Sequence, residues 1–360
     1  AVAPAAAVRP QPDGDGYLLD NGLLRVRIDA RGLLTSVLDL RNGREVLSPG
    51  AAGNLLQLHP DTPVMFDAWD VDSYYRHCVT DLVEADTVEA TDDAVLVVRS
   101  FGRSVVRQLI SLPARVARVD IDTDIDWHEQ EKILKAAFDV DVQTDRSASE
   151  IQFGHVYRPT HTNTTWEAAK FEICAQRWVQ VAEPGYGVAV VNDSTYGHDI
   201  SRADRQGGGV SSVVRLSLMR APRSPDPLTD QGPHRLRYAL VPGADIDDAV
   251  REGYRINLPA RTVAGSGTAV APLLTVDNPA VVVESVKLAD DESGDVVLRV
   301  YESRGGRANA RVHTDFQPTA VTVVDLLERP LGDDQPQLDN RTVALALRPF
   351  QIVTLRFARG

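Results

Sequence analysis

The sequence is poor in residue types that several classes of protein require. Its 360 residues contain 2 Cys, Cys78 and Cys174, which lie far apart and form no C-x-x-C pair. A thiolate zinc site is therefore not predicted. The expectation is two reduced, part-buried thiols in a cytosolic protein, while a disulfide stays open. No run of about 18 apolar residues occurs, so no membrane-spanning helix is predicted.

Basic residues are scarce relative to acidic ones. The chain has 38 Lys and Arg against 51 Asp and Glu, which gives a formal net charge of −13. Nucleic acids and anionic membranes are bound through a basic footprint. Neither is therefore expected as the main partner, whereas a neutral polar ligand such as a sugar remains compatible.

The standard catalytic and nucleotide-binding motifs are also missing. The sequence has no G-x-S-x-G, no Walker motif, no G-x-G-x-x-G after a strand and no H-E-x-x-H. His155 and His161 are six residues apart with Pro159 between them, and no third ligand follows at a suitable spacing. No metal site is therefore predicted here. The glycine run "RQGGGVSS" leads into a strand and is predicted to be a hairpin loop.

Alternating apolar and polar residues dominate what is present. The stretch "GLLRVRIDARGLLTSVLDL" (22–40) predicts a hairpin that turns at Arg31-Gly32. In "RVARVDIDTDIDW" (115–127) the valines and isoleucines are expected to face inward and the aspartates outward. This pattern is typical of an antiparallel sheet with one solvent-exposed face. Helical periodicity is best in "DIDDAVREGYRI", with Asp245 as the N-cap.

The composition also predicts the domain organisation. Pro, Gly and Ser cluster in residues 259–270, as in a linker, and shorter strand patterns follow. The prediction is an all-β protein with a linker over 1–16 and a large antiparallel β-sandwich over 17–258. After the linker at 259–270, a small β-sandwich is predicted over 271–360.

One polar cluster reads "PVMFDAWDVDSYY" (63–75) and contains Asp67, Trp69 and Asp70. Aromatic rings beside carboxylates suit sugar binding, because the ring stacks on C–H groups and carboxylates accept hydrogen bonds from hydroxyls. An aromatic-rich strand end that packs on a neighbouring domain explains the same residues equally well.

Two further segments are rich in polar residues. The loop "LMRAPRSPDPLTDQGPH" (218–234) holds Arg220, Asp226 and Asp230, and its four prolines indicate a long ordered loop of the kind that often carries function. The stretch "FGHVYRPTHTNTTW" (153–166) holds His155, Arg158 and His161. It is predicted to be a loop, for which internal side-chain hydrogen bonds are the alternative to ligand contact.

These segments carry a family resemblance. The stretches "EIQFGHVYRPTHTNTTWEAAKFE", "QRWVQVAEPGYGVAVVNDSTYGHD" and "LSLMRAPRSPDPLTDQGPHRLRYALVPG" follow one another in order. Together with "FDAWDVDSYY" and "LRPFQIVTLRF" they resemble the C-terminal region of α-mannosidases of glycoside hydrolase family 38, of the cytosolic and bacterial type. The resemblance implies a large β-supersandwich that is galactose mutarotase-like, a small C-terminal β-sandwich, and a cytoplasmic location.

The resemblance also implies where the chemistry lies. Family members carry the nucleophile, the acid/base residue and the zinc ligands on a preceding barrel domain, so none of these is expected in this chain. The chain then looks like the C-terminal portion of an enzyme that hydrolyses terminal α-mannosides with retention. The expected partners are the catalytic domain of the same enzyme and a mannoside, zinc is expected only in the intact enzyme, and a homo-oligomer stays open.

By position, the resemblance implies a set of residues that line the active-site wall. The main candidates are Asp67, Trp69, Asp70, Arg220, Asp226 and Asp230, with His155, Arg158 and His161 as secondary candidates. A stand-alone carbohydrate-binding module is the alternative function. A mutarotase-like epimerase is suggested by the fold alone, and fold does not determine function.

Overall fold

The computed structural model describes residues 8–261, 264–265, 270–332 and 335–359. These residues divide into two compact units. The large unit contains residues 8–150 and 157–259, and the small unit contains residues 151–156 together with the described residues from 260 onward. No helix in the described ranges is long and apolar enough to cross a membrane.

Strands make up most of the regular structure in both units. The first twenty strands are β1 (Gln11–Asp13), β2 (Gly16–Asp20), β3 (Leu24–Ile28), β4 (Leu34–Asp39), β5 (Arg44–Glu45), β6 (Gly53–Pro60), β7 (Thr80–Asp81), β8 (Thr87–Ala90), β9 (Val95–Phe101), β10 (Ser104–Ser111), β11 (Val119–Trp127), β12 (Lys132–Val140), β13 (Arg146–Ile151), β14 (Gly154–Pro159), β15 (Ile173–Cys174), β16 (Trp178–Glu183), β17 (Tyr186–Asn192), β18 (Gly197–Asp204), β19 (Val210–Arg220) and β20 (Gly232–Pro242). The remaining strands are β21 (Leu274–Val276), β22 (Val281–Leu288), β23 (Val296–Glu302), β24 (Ala308–Thr314), β25 (Ala320–Val324), β26 (Leu338–Asp339), β27 (Thr342–Leu347) and β28 (Ile352–Ala358). The helical segments are a 3₁₀-helix (Ser73–His77), α1 (Thr165–Ala168) and α2 (Ile246–Asn257).

The first twenty strands form two antiparallel sheets. Sheet 1 has the order β1-β2-β3-β4-β6-β12-β19-β18-β15, with β5 added to β4 and β7 added to β6. Sheet 2 has the order β14-β13-β16-β17-β20-β11-β10-β9-β8. Alternate side chains from both sheets, such as Val26, Val106 and Phe138, fill one apolar core. The predicted all-β fold with a large antiparallel sandwich is confirmed.

The local patterns explain individual strands. The hairpin between β3 and β4 turns at Gly32, whose φ of +71° is the left-handed conformation that glycine tolerates. A Cβ at this position would also lie 2.4 Å from Cγ1 of Val97, so glycine is required by space as well. In β11, Val119, Ile121 and Ile125 are buried as the alternation predicts.

The small unit contains two four-stranded antiparallel sheets. Their orders are β21-β24-β27-β26 and β22-β23-β28-β25, and their facing apolar side chains form a second core around Leu298, Val312 and Phe357. Residues 151–156 pack in this unit, because Phe153 makes an edge-on contact with Tyr301. The sequence did not predict that the turn between β13 and β14 packs in the small unit.

Two of the segments predicted as connections contain strands. Residues Gln11–Asp13, inside the segment predicted as a linker over 1–16, form the edge strand β1. The prediction that 153–166 is one loop is wrong, because Gly154–Pro159 forms strand β14. Part of the linker predicted at 259–270 lies outside the described residues.

Helix α2 begins as predicted. The Asp245 side chain accepts a hydrogen bond from the N–H of Asp248, and the Asp248 side chain accepts one from the N–H of Asp245, which forms a capping box. The buried face of α2, including Ala249, Val250 and Ile256, has the spacing expected of an amphipathic helix.

We expect Asp245→Ala to lower the free energy of unfolding by about 1 kcal/mol, because it removes the oxygen that accepts from the N–H of Asp248. Urea denaturation followed by circular dichroism measures the change. Asp245→Asn is the matched control, since asparagine caps helices comparably. Equal losses in both variants would show that the cap is not the cause.

Candidate functional site at the loop end of the large unit

Strand register brings several connections to one end of sheet 1. Pro60 at the end of β6 pairs with Lys132 at the start of β12, and Arg220 at the end of β19 pairs with Ile133. Ile173 of β15 pairs with His198 near the start of β18. The same end of the unit therefore carries the segments 61–79, 128–131, 193–196 and 221–231, which we call the loop end. The segment 160–172 begins near the opposite end, where the Thr160 hydroxyl donates to the carbonyl oxygen of Thr144.

Arg220 holds one of these segments by its backbone. Its guanidinium donates to the Asp61 carboxylate, with Nε at 2.5 Å from Oδ2. It also donates to the carbonyl oxygens of Asp67 (2.8 Å), Ala68 (3.2 Å) and Asp70. Bonds from one planar group to several acceptors fix the loop in space. Arg220 is thus a positioning residue whose donors are largely used inside the chain.

The Asp67 side chain joins the segment 61–79 to the segment 221–231. Its Oδ2 accepts hydrogen bonds from the N–H groups of Arg223 (2.7 Å) and Ser224 (2.8 Å). The Asp70 carboxylate accepts only from the N–H of Val71 (2.9 Å) among the described residues. Between these two aspartates, Trp69 is 73% exposed. The structure therefore brings Asp67, Trp69, Asp70 and Arg220 together.

The other two candidates of the Pro-rich segment have separate local roles. Asp226 closes a turn by accepting from the N–H of Leu228 at 2.9 Å. Asp230 has a φ of +56°, and its carbonyl oxygen accepts a hydrogen bond at 2.8 Å from Nε2 of His234 in the tautomer that places the proton there. Asp230 lines a cavity with Arg220, whereas Asp226 does not.

That cavity has a volume of about 480 Å³ and opens at the loop end. It is lined by Val71, Ile133, Glu172, Ser194, Thr195, Gly197, Ser217, Leu218, Met219, Arg220, Asp230, His234, Arg235 and Leu236. Its walls combine apolar side chains with hydroxyl, carboxylate, imidazole and guanidinium groups, which is the mixed lining typical of small-ligand sites.

A buried ion cluster supports one wall of this cavity. Lys135 on the outer face of β12 is 0% exposed, and its ammonium donates to Asp199 at 2.8 Å, to the Tyr75 hydroxyl at 2.7 Å and to Glu172. Arg215 adds a second cation, with Nη1 at 2.8 Å from Asp199. Two carboxylates and two cations therefore balance one another, as burial of charge requires.

The environment shifts the two carboxyl groups in opposite directions. Burial opposes ionisation of Asp199, but the neighbouring Lys135 and Arg215 outweigh it and lower its pKa. For Glu172 burial is the largest influence and raises the pKa, even though Lys135 acts in the other direction. Asp199 is thus the ionised counter-ion of Lys135, while Glu172 binds a proton more readily than Asp199 does.

The three secondary candidates do not come together. His155 is 4% exposed, and its Nδ1 lies 3.1 Å from the carbonyl oxygen of Ser303 inside the small unit. It belongs to the small unit, whereas the other candidates belong to the large unit. Arg158 donates to the carbonyl oxygen of Cys174, and His161 lies 3.3 Å from Glu167 in the segment 160–172.

The cysteines differ from expectation. Cys78 and Cys174 are free, but both are exposed, so the prediction that they are part-buried is wrong. In the described ranges, no three His, Cys, Asp or Glu side chains are grouped as a metal ion would require.

Sequence reasoning missed the residues that support the site. Tyr75, Lys135 and Glu172 come from three distant segments, and only folding brings them together. Lys135 did leave a signal, since it is a single charge inside the otherwise apolar run "ILKAAF" of a predicted strand. His234 and Glu172 carry no comparable signal.

The sequence matches two described protein families. "Glycosyl hydrolases family 38 C-terminal domain" matches residues 19–228, and "Glycosyl hydrolases family 38 C-terminal beta sandwich domain" matches residues 280–355. The first match covers more than half of the chain.

Several known proteins are similar over nearly the whole chain. Alpha-mannosidase 2C1 of Homo sapiens is 34% identical over 352 residues, which is 94% of this chain and 33% of that protein. Alpha-mannosidase G of Dictyostelium discoideum is 29% identical over 377 residues, or 98% of this chain and 34% of that protein. The chain therefore spans about a third of the length of these curated relatives.

A solved structure has the same fold. An alpha-mannosidase from Enterococcus faecalis V583 superposes with a TM-score of 0.72 at 17% sequence identity. The match covers 96% of this chain and 42% of that one. At this identity the likeness establishes the fold alone.

We expect Arg220→Met to release the segment 61–70, because it removes five hydrogen bonds to that segment. Hydrogen–deuterium exchange should show faster exchange of amides 62–71 while the β-strand amides keep their protection. Arg223→Gln is the control, since the Arg223 side chain is exposed and makes one long ion pair. Unchanged exchange in Arg220→Met would contradict the positioning role.

We expect Lys135→Met to destabilise the large unit by about 3–5 kcal/mol, because Asp199 and Glu172 would lose a buried counter-charge. The matched control is Lys132→Met on the same strand, whose ammonium is partly exposed beside Glu129 and should contribute at most about 1 kcal/mol. Thermal and urea unfolding measure both. Equal effects would contradict the structural importance of the cluster.

Proposed function

This chain belongs to glycosyl hydrolase family 38, and we propose that it forms the C-terminal β portion of an α-mannosidase that hydrolyses terminal α-mannosides. In this proposal the loop end contributes a wall of the active site and a surface for the catalytic domain. The nucleophile, the acid/base residue and the zinc ligands lie in polypeptide outside this chain. The length of the relatives named alpha-mannosidase supports the proposal, since two thirds of each lies outside the match.

The observation that carries the proposal is an ordered but exposed apolar surface at the loop end. Val64, Met65, Phe66 and Trp69 are all more than 60% exposed. The N–H of Val64 donates to Asp72, the N–H of Trp69 donates to the carbonyl oxygen of Phe66, and Arg220 holds the carbonyl oxygen of Asp67 between them. Contiguous exposed apolar side chains on a hydrogen-bonded loop are typical of a contact surface. A loop held by its own hydrogen bonds loses less entropy on contact than a free one.

The proposed roles in the active-site wall follow from side-chain groups that can still contact a ligand. The Trp69 ring is available to stack on a sugar or to pack against the catalytic domain. Asp70, Asp226 and Asp230 have carboxylate oxygens that can accept hydrogen bonds from hydroxyls. Arg158 and His161 remain secondary contacts in the proposal. Arg220 acts through the loop that it positions.

In this proposal zinc belongs to the rest of the enzyme, as the resemblance to family 38 implies. Zinc sites need three or four nitrogen, sulfur or oxygen ligands around one point. The described part of this chain brings no such group together at the loop end or elsewhere. The residues present therefore do not fit the metal, and no step through it is assigned to them. The cytoplasmic location that the resemblance implies belongs to the same proposal.

We expect the isolated chain to show no hydrolysis of an aryl α-mannoside, with or without added zinc, because the proposed catalytic groups are absent from it. A colorimetric assay against a heat-inactivated sample measures this. The full-length polypeptide assayed in parallel should be active. Turnover by the isolated chain well above the inactivated sample would place catalytic groups inside it and contradict the proposal.

We expect Trp69→Ala in the full-length enzyme to lower kcat/KM by about tenfold or more, as loss of a central aromatic contact commonly does. Leu288→Ala is the control, because Leu288 is similarly exposed but belongs to the small unit. Steady-state kinetics with an aryl α-mannoside measure both variants. Equal activity of Trp69→Ala and the parent would remove Trp69 from the site.

A stand-alone carbohydrate-binding module is the second candidate function. The cavity of about 480 Å³ with Asp230, His234 and Arg235 in its walls favours it, because the volume suits a monosaccharide and the groups suit hydroxyls. Calorimetric titration of the isolated chain with methyl α-mannoside separates the two functions. Clear binding without the rest of the enzyme would favour the module.

A further inference from the structure

A second cavity, separate from the loop-end cavity, lies on the outer face of sheet 1. It has a volume of about 240 Å³. It is lined by Gln57, His59, Tyr75, Arg76, His77, Val79, Asp199, Ser201 and Arg215. Side chains of strands β6, β18 and β19 form its floor, and the 3₁₀-helix Ser73–His77 covers it. None of the roles assigned above uses this cavity.

The acceptor groups of this cavity are already engaged. Both oxygens of Asp199 accept hydrogen bonds, Oδ1 from Arg215 and Oδ2 from Lys135, each at 2.8 Å. The side-chain oxygens of Gln57 and Ser201 also accept from Arg215, at 2.8 and 2.9 Å. A ligand entering the cavity therefore meets few free acceptors.

The donor groups, by contrast, are in excess. Arg215 uses Nε and Nη1 in these bonds, and its Nη2 donates to none of the described residues. Arg76 stacks on Phe171 and donates only weakly, through Nε to the carbonyl of Ser73 at 3.5 Å. This contact orients the guanidinium but leaves both terminal nitrogens free.

Two imidazoles border the cavity, and each neutral ring offers one N–H donor and one acceptor. His77 is exposed and makes no hydrogen bond or ion pair with the residues that the structure describes. His59 is 4% exposed, and neither of its ring nitrogens makes a hydrogen bond of normal geometry in the described structure. An unpartnered polar side chain at this depth is unusual in a folded protein. Both rings border the same small space.

We propose that this cavity binds a small oxyanion of the phosphate class, held by the Arg76 and Arg215 guanidinium groups with His77 at the entrance and His59 in the wall. Guanidinium groups recognise tetrahedral and planar oxyanions through paired N–H donors. The Asp199 charge does not oppose this, because Lys135 and Arg215 balance Asp199 and Glu172, so Arg76 adds a net positive charge. Asp81, which contacts Gln57, is exposed to solvent and screened.

The site does not depend on the proposed mannosidase function. Inorganic phosphate and the phosphate group of a hexose phosphate share the chemistry that the cavity recognises. A volume of 240 Å³ accepts phosphate with water molecules or a compact phosphorylated sugar. A bound oxyanion would bridge the 3₁₀-helix to strand β19 and so stabilise the folded state by linkage.

The test is thermal unfolding and calorimetric titration of this chain with inorganic phosphate, sulfate, a hexose 6-phosphate, the neutral hexose and chloride at matched ionic strength. We expect phosphate to raise the unfolding temperature in a saturable manner, with heat of binding for one site. Arg76→Gln should weaken the affinity by about tenfold or more, because it removes a charged donor. His77→Gln should weaken it less.

Arg107→Gln, an exposed arginine on the outer face of β10, is the matched control and should bind phosphate like the parent. Tighter binding of the hexose 6-phosphate than of phosphate would support the site and identify a phosphorylated sugar as its source. The proposal is overturned if phosphate causes no saturable shift, or if chloride or the neutral hexose causes the same shift. It is also overturned if Arg76→Gln, with an unfolding temperature like the parent's without ligand, binds phosphate unchanged.

Discussion

The buried ammonium of Lys135 is the interaction on which the loop-end cavity and the cavity under the 3₁₀-helix both depend. It binds Glu172, which lines the loop-end cavity, and Asp199, which lines the smaller cavity. Its bond to Tyr75 also holds the 3₁₀-helix Ser73–His77 over the outer face of sheet 1. Burying a lysine is costly unless every charge around it is paired. The need to pair this charge brings Tyr75, Glu172 and Asp199, which lie in three distant segments, against strand β12.

Arg220 is a second cation that holds distant segments together, at the edge of the candidate site. It lies on β19 opposite Ile133 of β12, two residues from Lys135. Its guanidinium N–H groups donate to backbone carbonyl oxygens of the segment 61–70. Cations on two adjacent strands thus convert a long polar connection into an ordered wall. This explains how Trp69 can be exposed and yet held in place. An ordered apolar surface of this kind is suited to a partner that is larger than a sugar.

How far the sequence predicts this structure depends on the range of the interactions. The Arg31-Gly32 turn, the alternation in β11 and the cap at Asp245 are local, and they were predicted because propensity and packing agree there. The packing of residues 151–156 in the small unit was not predicted, because Tyr301 and Ser303 lie about 150 residues further along the chain. The burial of His155 beside Ser303 could not be read from the sequence for the same reason.

The candidate site shows the same division. Asp67, Trp69 and Asp70 were singled out as one polar cluster and Arg220, Asp226 and Asp230 as part of another, and only the resemblance to family 38 joined them in one wall. That Arg220 binds the loop itself could not be predicted, because it depends on the register between β12 and β19. Glu172 was missed, and Tyr75 was noted only as part of the aromatic cluster 63–75, since the importance of both lies in a single buried partner, Lys135, from another segment.

The most direct measurement of the central claim compares amide exchange in the isolated chain and in the full-length polypeptide. If the loop end meets the catalytic part of the enzyme, amides of the segment 61–72 and of 221–231 should exchange more slowly in the full-length protein. Strand β24 of the small unit should serve as an unchanged reference. Identical exchange of both segments in the two proteins would contradict the account.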